Sequence, residues 1–210
     1  MKHAPHPAPD PGDVGRTPAP SELELVRALI NSRNIEGEAK VAAPSSEWDK
    51  LATPAMAADW LRERGLLGRQ ARVTASEAVG LRTLRESLRG LAARNNGLEV
   101  PVDLEFLRRA AEEARFGLVF DSRTGRSELK PMASGVAGAV GRIIAQVHQA
   151  MDDGRWDRLK ICAAETCLWA YYDRSKNSHS RWCSPTVCGN RDKVRRYRER
   201  AQKAKRSKAG

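Results

Sequence analysis

Apolar residues recur at helical spacing through most of the first 155 residues, where positions i, i+3, i+4 and i+7 are filled mainly by Leu, Val, Ile and Ala. This period predicts a series of helices separated by short polar or glycine-containing segments. The first helix begins at Ser21, and the chain breaks at residues 34–37. The later predicted helices cover 54–64, 74–92, 103–114 and 133–151.

Polar residues mark where two of these helices start. Ser21 and Glu24 have the spacing of a capping box, and Thr53-Pro54 is typical of an N-cap followed by proline in the first turn. The Gly and Ala residues of the predicted helix 133–151 indicate that it packs closely against another helix. The positions predicted to face the core are Met56, Trp60, Leu61, Val79, Leu81, Leu84, Leu88, Leu91, Leu104, Leu107, Ala111, Val136, Val140, Ile143, Ile144 and Val147.

In two regions of the chain, the sequence pattern is typical of paired strands and not of helices. Residues 116–120 and 127–131 flank the turn 121–125, which predicts a β-hairpin. Residues 168–172 and 180–182 predict a second, smaller hairpin near the C-terminus. The predicted fold is therefore mainly α with a small β-hairpin. Its predicted parts are a disordered proline-rich tail at 1–20, a helical domain at 21–155, a zinc-finger hairpin with a basic helix at 156–202, and a basic tail at 203–210.

The positive charge is concentrated at the C-terminal end of the chain. The net charge is +11, of which residues 160–210 contribute +10 and the other 159 residues only +1. Such asymmetry indicates an anionic partner. No segment has the about 18 consecutive apolar residues that span a bilayer, and no secretory h-region is visible. We therefore expect a cytoplasmic protein without a membrane partner, in which cysteines are metal ligands more often than disulfides.

The cysteines of the chain form two matched pairs. Cys162 and Cys167 are separated by four residues, as are Cys183 and Cys188, with fifteen residues between the pairs. Two such turns facing each other suit tetrahedral Zn²⁺. Redox disulfides, an iron–sulfur cluster and coincidence remain alternatives, while His179 is interpreted as an exposed loop residue. Four ligands leave no open position for a substrate, so we do not expect an enzyme.

The residues around these pairs predict a structural module followed by a cationic helix. Asp173 is expected to cap a turn and Gly189 to adopt a positive φ. Trp182 is expected to shield the metal, with base stacking as the alternative. Asn190 is predicted as the N-cap of the helix, and the seam Val194, Tyr197 and Ala201 as docking on the metal site. A solvated basic tail is the alternative to a nucleic-acid contact. The candidate nucleic-acid-binding residues are Arg174, Lys176, Arg181, Asn190, Arg191, Lys193, Arg195 and Arg198.

Residues 160–200 resemble the CGNR zinc finger family, which takes its name from the tetrapeptide found here at 188–191. The resemblance extends over both cysteine pairs, the stretch 172–177, Arg181 to Ser184, and Lys193. Residues 25–34, with Asn31-Ser32-Arg33 where Asn-Thr-Arg is usual, resemble the start of the helical ABATE domain that commonly precedes this finger. Residues 59–67 and 84–89 also fit that domain. The resemblance implies a stress-linked transcription regulator.

Several functional hypotheses follow from these features. The first is a zinc-dependent DNA-binding regulator whose helical domain senses an effector or forms a homodimer. The alternatives are an RNA- or ribosome-associated protein with the same surface and a zinc-stabilised protein-interaction adaptor. The candidate residues for a small-molecule or protein effector are Asn31, Arg33, Arg82 and Arg85. Ordinary intramolecular salt bridges are the competing interpretation of the three arginines.

Overall fold

The computed structural model describes residues 18–38 and 48–207, and the predicted proline-rich tail lies almost wholly outside these residues. The chain folds mainly into helices with two small antiparallel sheets, which confirms the predicted fold class. The helices are α1 (Ser21–Ile30), α2 (Ile35–Glu38), α3 (Pro54–Glu63), α4 (Ala75–Arg94), α5 (Leu104–Ala114), α6 (Gly135–Asp152) and α7 (Asn190–Ser207). The strands are β1 (Phe116–Phe120), β2 (Ser127–Pro131), β3 (Leu159–Ile161) and β4 (Ala170–Tyr172).

Side-chain caps fix where the two central helices begin. The Thr53 hydroxyl accepts a hydrogen bond from the Met56 backbone N–H at 3.2 Å, and Pro54 occupies the first turn of α3 as predicted. Thr74 and Glu77 form a reciprocal capping box at the start of α4. These bonds satisfy backbone donors that a helix cannot satisfy internally.

The capping box predicted at Ser21 is wrong. Pro20 occupies the N-cap position and Ser21 is the first residue of α1. The Glu24 carboxylate instead accepts a hydrogen bond from the Ala19 backbone N–H at 2.7 Å, one residue before that cap. The short helix α2 begins within the break that was predicted at residues 34–37.

One hydrophobic core joins α1, α3, α4 and α6. Trp60 is buried, as are Leu84 and Leu88 on the inner stripe of α4. Val79 was predicted to lie on this stripe, but it is 52% exposed. At about 100° per residue it lies on the opposite side of the helix from the buried leucines.

Small residues allow α5 and α6 to pack closely together. Leu104 was predicted to face inward but is 57% exposed, and Ala110 and Ala114 are buried instead. A Cβ atom added to Gly141 would lie 2.7 Å from the Ala114 Cβ and 2.6 Å from the Pro131 Cβ. The predicted close packing of α6 is therefore confirmed, and it leaves no room for a side chain at Gly141.

The first predicted hairpin is confirmed. Strands β1 and β2 pair antiparallel, with Phe116 opposite Pro131 and Phe120 opposite Ser127. The Asp121 carboxylate accepts hydrogen bonds from backbone N–H groups inside the turn, and Gly125 supplies a φ of 67°. Asp and Gly at these turn positions match the residues that such turns require.

The C-terminal segment shares the core of the helical domain. Trp156, Leu159, Ile161 and Ala170 are buried in the same hydrophobic cluster as α1, α4 and α6. Strand β3 follows a short 3₁₀ turn and packs on α4. The two parts of the chain therefore meet through buried side chains.

The second predicted hairpin is wrong. Strand β4 pairs with β3, so that Leu159 lies opposite Tyr172 and Ile161 opposite Ala170. Residues 180–182 form no strand. The pairing partner of β4 thus lies before the first cysteine pair and not after it, because the side chains of β3 complete the core.

Candidate metal centre and nucleic-acid interface

The first cysteine pair lies in the connection between β3 and β4. Cys162 follows β3 directly, and its backbone N–H donates to the Trp169 carbonyl at 2.9 Å. The Cys167 N–H donates to the Ala164 carbonyl at 2.9 Å, which closes a tight turn. Leu168 then takes a left-handed φ of 49°. This turn brings the Cys167 thiol back beside the Cys162 thiol.

The second pair lies at the start of the last helix. A π-helical turn, Pro185–Gly189, runs directly into α7. The Ser184 hydroxyl accepts a hydrogen bond from the Val187 N–H at 3.3 Å and caps this turn. Cys188 therefore sits in the first turn of one continuous helix, whose positive N-terminal end favours thiolates.

This arrangement corrects two predictions. Asn190 is not an N-cap, because it has helical backbone angles and the cap is Ser184. The Asn190 side-chain amide instead donates to the Thr186 carbonyl at 2.8 Å. Gly189 is not among the residues with a positive φ, since it lies inside the π-helical turn. The ring of Trp182 lies 3.5 Å from the position that a Gly189 Cβ would take.

The four sulfur atoms converge on one point. All four lie within 4.8 Å of one another. The sulfur of Cys183 lies 3.6 Å from that of Cys167 and 3.7 Å from that of Cys188. A tetrahedron with Zn–S distances of about 2.3 Å has edges of about 3.8 Å. The cluster therefore fits a four-thiolate metal ion, and no disulfide joins the four cysteines.

Burial and mutual hydrogen bonding distribute charge unevenly among the thiols. Hydrogen bonds from Cys167 and Cys183 lower the pKa of Cys162 to about 2. The hydrogen bond to Cys162 raises the pKa of Cys167 to about 12, and the pKa of Cys183 is also raised by its bonds to these two residues. One thiolate is thus stabilised at the expense of the others. A divalent cation is what allows all four to be thiolates together.

Aromatic side chains cover the cluster. Trp169 and Tyr171 are buried beside the sulfurs, and Trp182 packs on them while half-buried. The predicted packing role of Trp182 is therefore confirmed. His179 is exposed and is not part of the four-cysteine cluster, which agrees with its interpretation as a loop residue.

Asp173 organises the segment between the two pairs. Its carboxylate accepts hydrogen bonds from the backbone N–H groups of Ser175 and Ser180, both at 2.9 Å, which confirms its predicted capping role. It also forms a buried ion pair with Lys160 at 2.9 Å. Burial raises the pKa of Asp173, but the bonds from Ser175 and Lys160 lower it further, so the pKa lies below its usual range. The role of Lys160 was not recognised from sequence.

Two asparagines that directly follow α4 hydrogen-bond the backbone on either side of the first cysteine pair. The Asn95 amide donates to the carbonyls of Trp156 and Leu159 at 2.8 and 2.9 Å. The Asn96 amide donates to the carbonyls of Ile161 and Arg181 at 2.8 and 3.0 Å. These asparagines were not identified from the sequence as contact residues. Their position after a long helix and before glycine carried no signal of a distant partner.

Two further side chains complete this attachment. Asn31 is buried and exchanges hydrogen bonds with the backbone of Ala170. Arg89 is buried and donates to the Leu168 carbonyl at 2.8 Å and to the Ile30 carbonyl at 2.6 Å. The loop of the first cysteine pair is therefore fixed by α1 and α4 together.

The remaining candidate effector residues line one cleft of about 480 Å³. Arg85 is buried and forms a two-pronged ion pair with Asp49, at 2.6 and 3.0 Å. Arg82 donates to the Leu51 carbonyl at 2.8 Å, and Arg33 contacts Glu38 at 2.8 Å. All three arginines thus have partners within the chain. An effector role for this cleft stays a prediction.

One buried acidic side chain pairs with two arginines within α7, and one of these arginines also reaches the loop of the first cysteine pair. Asp192 is buried, and its carboxylate pairs with Arg195 at 2.7 Å and Arg196 at 2.8 Å. The hydrogen bond from Arg195 lowers the pKa of Asp192 and raises that of Arg195. Arg195 also lies 3.4 Å from Glu165, in the loop of the first cysteine pair. Arg195 therefore links the two halves of the finger.

Other cations of α7 point into solvent. Lys193 and Arg198 are exposed and make no ion pair with any described residue. Arg191 is also exposed. Arg174 and Lys176 lie on the loop after β4, where Arg174 packs 5.5 Å from the Tyr172 ring centroid. The candidate cations thus divide between α7 and the loops of the finger, which include Arg181.

The apolar seam of α7 does not dock on the metal site, which corrects that prediction. Val194 is 48% exposed and Tyr197 is 70% exposed. The side of the helix that carries the buried Asp192 faces the rest of the protein. Its apolar side is therefore left open to solvent.

The described part of the chain has no helix that is both long and apolar enough to cross a membrane.

Comparison with protein families agrees with this architecture. Residues 23–152 match the model of the ABATE family, described as "Putative stress-induced transcription regulator". Residues 158–201 match the model of the CGNR zinc finger. Neither is an enzyme family. No curated protein matches the chain. The ABATE match covers more than half of the sequence, so the chain belongs to the ABATE family and carries a C-terminal CGNR zinc finger.

Proposed function

We propose that this protein is a DNA-binding transcriptional regulator in which a zinc-closed finger presents helix α7 to duplex DNA. The observation that carries this proposal is the continuity of Cys188 with α7, since the last metal ligand lies in the first turn of the helix. A metal bound at Cys188 would therefore fix the direction of α7 relative to the rest of the protein. Lys193 and Arg198 then face solvent without a carboxylate partner among the described residues.

The charge of the helix supports an anionic partner. Residues 189–210 contain ten basic and two acidic side chains, and such a density of like charge weakens an isolated helix. Asp192 neutralises part of the charge on the side nearest the body. The repulsion on the outer side would be relieved by phosphate groups, whose neutralisation releases counterions.

Zinc would have a structural role in this proposal. Cys162, Cys167, Cys183 and Cys188 supply a full set of four ligands, which is typical of a closed structural site. Their thiolates would carry a charge of about −2 with Zn²⁺ bound. The N-terminal end of the helix beside Cys188 favours that charge. Thus the metal would fix the finger while the cations of α7 contact the nucleic acid.

The helical domain is proposed as the regulatory half. It holds the loop of the first cysteine pair through Asn31 and Arg89. A ligand or second subunit that displaced α1 or α4 would therefore act on the finger directly. The cleft lined by Arg33, Arg82 and Arg85 is the place where we propose to test effectors.

Fluorescence anisotropy with labelled duplex DNA tests the proposal. We expect wild-type protein to bind with a slope of log K against log salt near about −4 to −5, if about five phosphates are neutralised. The double variant K193Q/R198Q should bind more weakly, and its slope should be shallower by about 2. The control R69Q/R123Q removes the same charge from exposed positions outside the finger. It should leave the slope unchanged.

The same assay separates the alternatives. Structured RNA that competes as well as duplex DNA at physiological salt would favour an RNA-binding role. Equal behaviour of K193Q/R198Q and wild type would contradict a nucleic-acid contact through α7. In that case a protein-interaction adaptor becomes the better account of the finger.

A further inference from the structure

The solvent side of α7 carries a narrow strip of residues that the metal site does not use. Val187, Asn190, Val194, Tyr197 and Ala201 follow at steps of three, four, three and four residues, which places them along one side of a helix. Val187 is 46% exposed, Val194 48% and Tyr197 70%. We call these five residues the outer strip. Counted at about 100° per residue, the strip lies opposite the buried Asp192.

Cations border the outer strip on both sides. Arg191 and Arg198 lie along one border, and Lys193 and Arg200 along the other, because each pair is seven residues apart. All four side chains are exposed. A shallow cleft along the border with Arg191 and Arg198 is lined by Val187, Val194 and these two arginines, and also by Arg195 and Glu199. The surface is thus a mildly apolar centre between two positive rims.

This charge pattern excludes a second copy of α7 as the occupant. A strip with this spacing is the seam by which helices form coiled coils, but the flanking positions then face each other across the dimer. Here both flanks are cationic, so two copies would bring Lys and Arg against Lys and Arg. Such pairs repel, and the short seam offers little apolar area to offset the repulsion.

The major groove of duplex DNA has the complementary pattern. It is about 12 Å wide and admits a helix of about 10–12 Å diameter. Phosphates run along both of its edges, and base edges lie at its floor. The two positive rims of the outer strip would lie at the phosphates, and its mildly apolar centre would lie at the base edges. The loop of the first cysteine pair contacts α7 away from the outer strip, through Arg195, which lies 3.4 Å from Glu165.

We propose that the outer strip reads base edges, with Asn190 and Val194 as specificity-determining residues, while the two rims hold the phosphates. Asn190 keeps its Oδ1 acceptor and one amide hydrogen after donating to Thr186, and an Asn amide pairs with adenine in the groove. Val194 offers methyl groups that contact the thymine methyl. This inference rests on the proposed function, because it requires that the finger binds duplex DNA.

Selection from a randomised duplex library tests the inference with full-length, zinc-loaded protein. Wild type should enrich a short A·T-containing motif. Asn190→Ala and Val194→Ser should each lose the preference at one base position, by about 5- to 150-fold in relative affinity for a bidentate contact and less for a methyl contact. The salt slope and the affinity for unrelated duplex should stay at the wild-type values. A variant that merely unfolds would lose both the base preference and the affinity for unrelated duplex.

Val79→Ser is the matched control for Val194→Ser. Val79 is exposed to a similar extent, 52%, but lies on α4. It should leave the selected motif unchanged. Far-UV circular dichroism and one bound zinc per chain would verify that each variant is folded.

The outcomes distinguish the two proposals. A wild-type protein that binds no duplex overturns the proposed function and this inference together. Binding of duplex without any base preference, or a motif that Asn190→Ala and Val194→Ser both leave intact, overturns only the inference. Loss of an acidic protein partner in these variants, with the motif unchanged, also overturns it, since the strip would then be a protein-docking surface.

Discussion

The side chain of Asn31 and the backbone of Ala170 exchange two hydrogen bonds across 139 residues of sequence, at 2.9 Å from the amide to the carbonyl and 2.8 Å from the N–H to Oδ1. Both groups are buried. Asn31 thus acts as a backbone-like partner for β4, whose other edge pairs with β3. The end of α1 and the finger are therefore parts of one cooperative structure.

Asn31→Ala should lower the free energy of unfolding by about 2–3 kcal/mol, because it leaves a buried donor and a buried acceptor unsatisfied. Urea denaturation of zinc-loaded protein measures this change. The finger and helical domain should still unfold in one transition. Asn177→Ala, in an exposed loop, should change stability by less than about 0.5 kcal/mol. A loss as small as this control for Asn31→Ala would contradict the structural role of the pair.

Local features of this fold could be predicted from sequence because they depend on neighbouring residues. Thr53 caps α3, Gly125 closes the first hairpin, and the cysteine spacing predicted a cluster whose sulfurs do converge. Each of these depends on chemistry within a few positions along the chain. The mainly helical class followed from apolar periodicity in the same way.

Long-range partners could not be predicted from the same patterns. Asn95 and Asn96 have the composition of a turn, and nothing nearby shows that their amides bind carbonyls more than sixty residues away. Strand β4 was predicted to pair with residues 180–182, but it pairs with β3, whose Leu159 is buried in the core. The seam of α7 was predicted to dock because apolar strips usually do. Instead the opposite side, which carries Asp192, is buried, and Arg195 connects α7 to Glu165 in the first cysteine loop.

Asp49 is expected to contribute stability that depends on pH. Burial raises its pKa, but the hydrogen bonds and charge of Arg85 lower it further, so the pKa lies below the ordinary value. A depressed pKa means that the contribution is complete above the unfolded pKa of about 3.9 and is lost as pH falls toward the folded one. Asp49→Asn should therefore flatten the decline of stability below about pH 4.

At neutral pH, Asp49→Asn should cost about 3 kcal/mol, since Arg85 is only 2% exposed and loses its two-pronged partner. Thermal unfolding from pH 3 to 7 measures both effects. Asp157→Asn, at an exposed position, controls for the change of charge. Parallel pH profiles for Asp49→Asn and wild type would show that this carboxylate is not the titrating group.

Gly141→Ala tests the close approach of α6 to α5 and β2. Alanine has a better helix propensity than glycine by about 1 kcal/mol, but its Cβ would lie 2.6 Å from the Pro131 Cβ and 2.7 Å from the Ala114 Cβ. We expect a net destabilisation of about 1–3 kcal/mol. Gly68→Ala, where no atom lies within 4 Å, should be neutral or slightly stabilising. Chemical denaturation of both variants decides the sign.

Metal removal should unfold the finger and weaken the helical domain. Elemental analysis should give one zinc per chain, and a chelator should shift the fluorescence of Trp169 and Trp182, which pack on the cluster. Because Leu159 and Ile161 belong to the main core, the thermal midpoint of the whole protein should also fall. Zinc added back should restore both signals.

Cys167→Ser tests the ligand set without a chelator. It removes one thiolate, so zinc affinity should drop sharply, and zinc should be released at a higher pH than from the wild type, because protons compete with the metal for the remaining thiolates. The measurements are zinc competition with a chromophoric chelator and a metal titration at pH 6 and 8. Bound iron in the wild type, or two intact disulfides without metal, would overturn the zinc assignment.

Arg195 and Arg198 should differ in what they contribute to the proposed DNA binding, although they lie one turn apart. Arg195 contacts Asp192 and Glu199, and also Glu165 in the first cysteine loop, whereas Arg198 has no carboxylate partner among the described residues. Arg198→Gln should therefore make the salt slope shallower by about 0.9, as expected for one lost phosphate contact.

Arg195→Gln should leave the salt slope closer to the wild-type value, because its guanidinium is already neutralised by carboxylates of the finger. Its effect should appear instead as faster amide hydrogen exchange at the start of α7, where the link to Glu165 is lost. Anisotropy across a salt series and exchange monitored by mass spectrometry measure the two effects on the same samples. Equal losses of slope in the two variants would contradict this division. Both arginines would then contact phosphates, and the ion pair between Arg195 and Glu165 would not be what fixes α7.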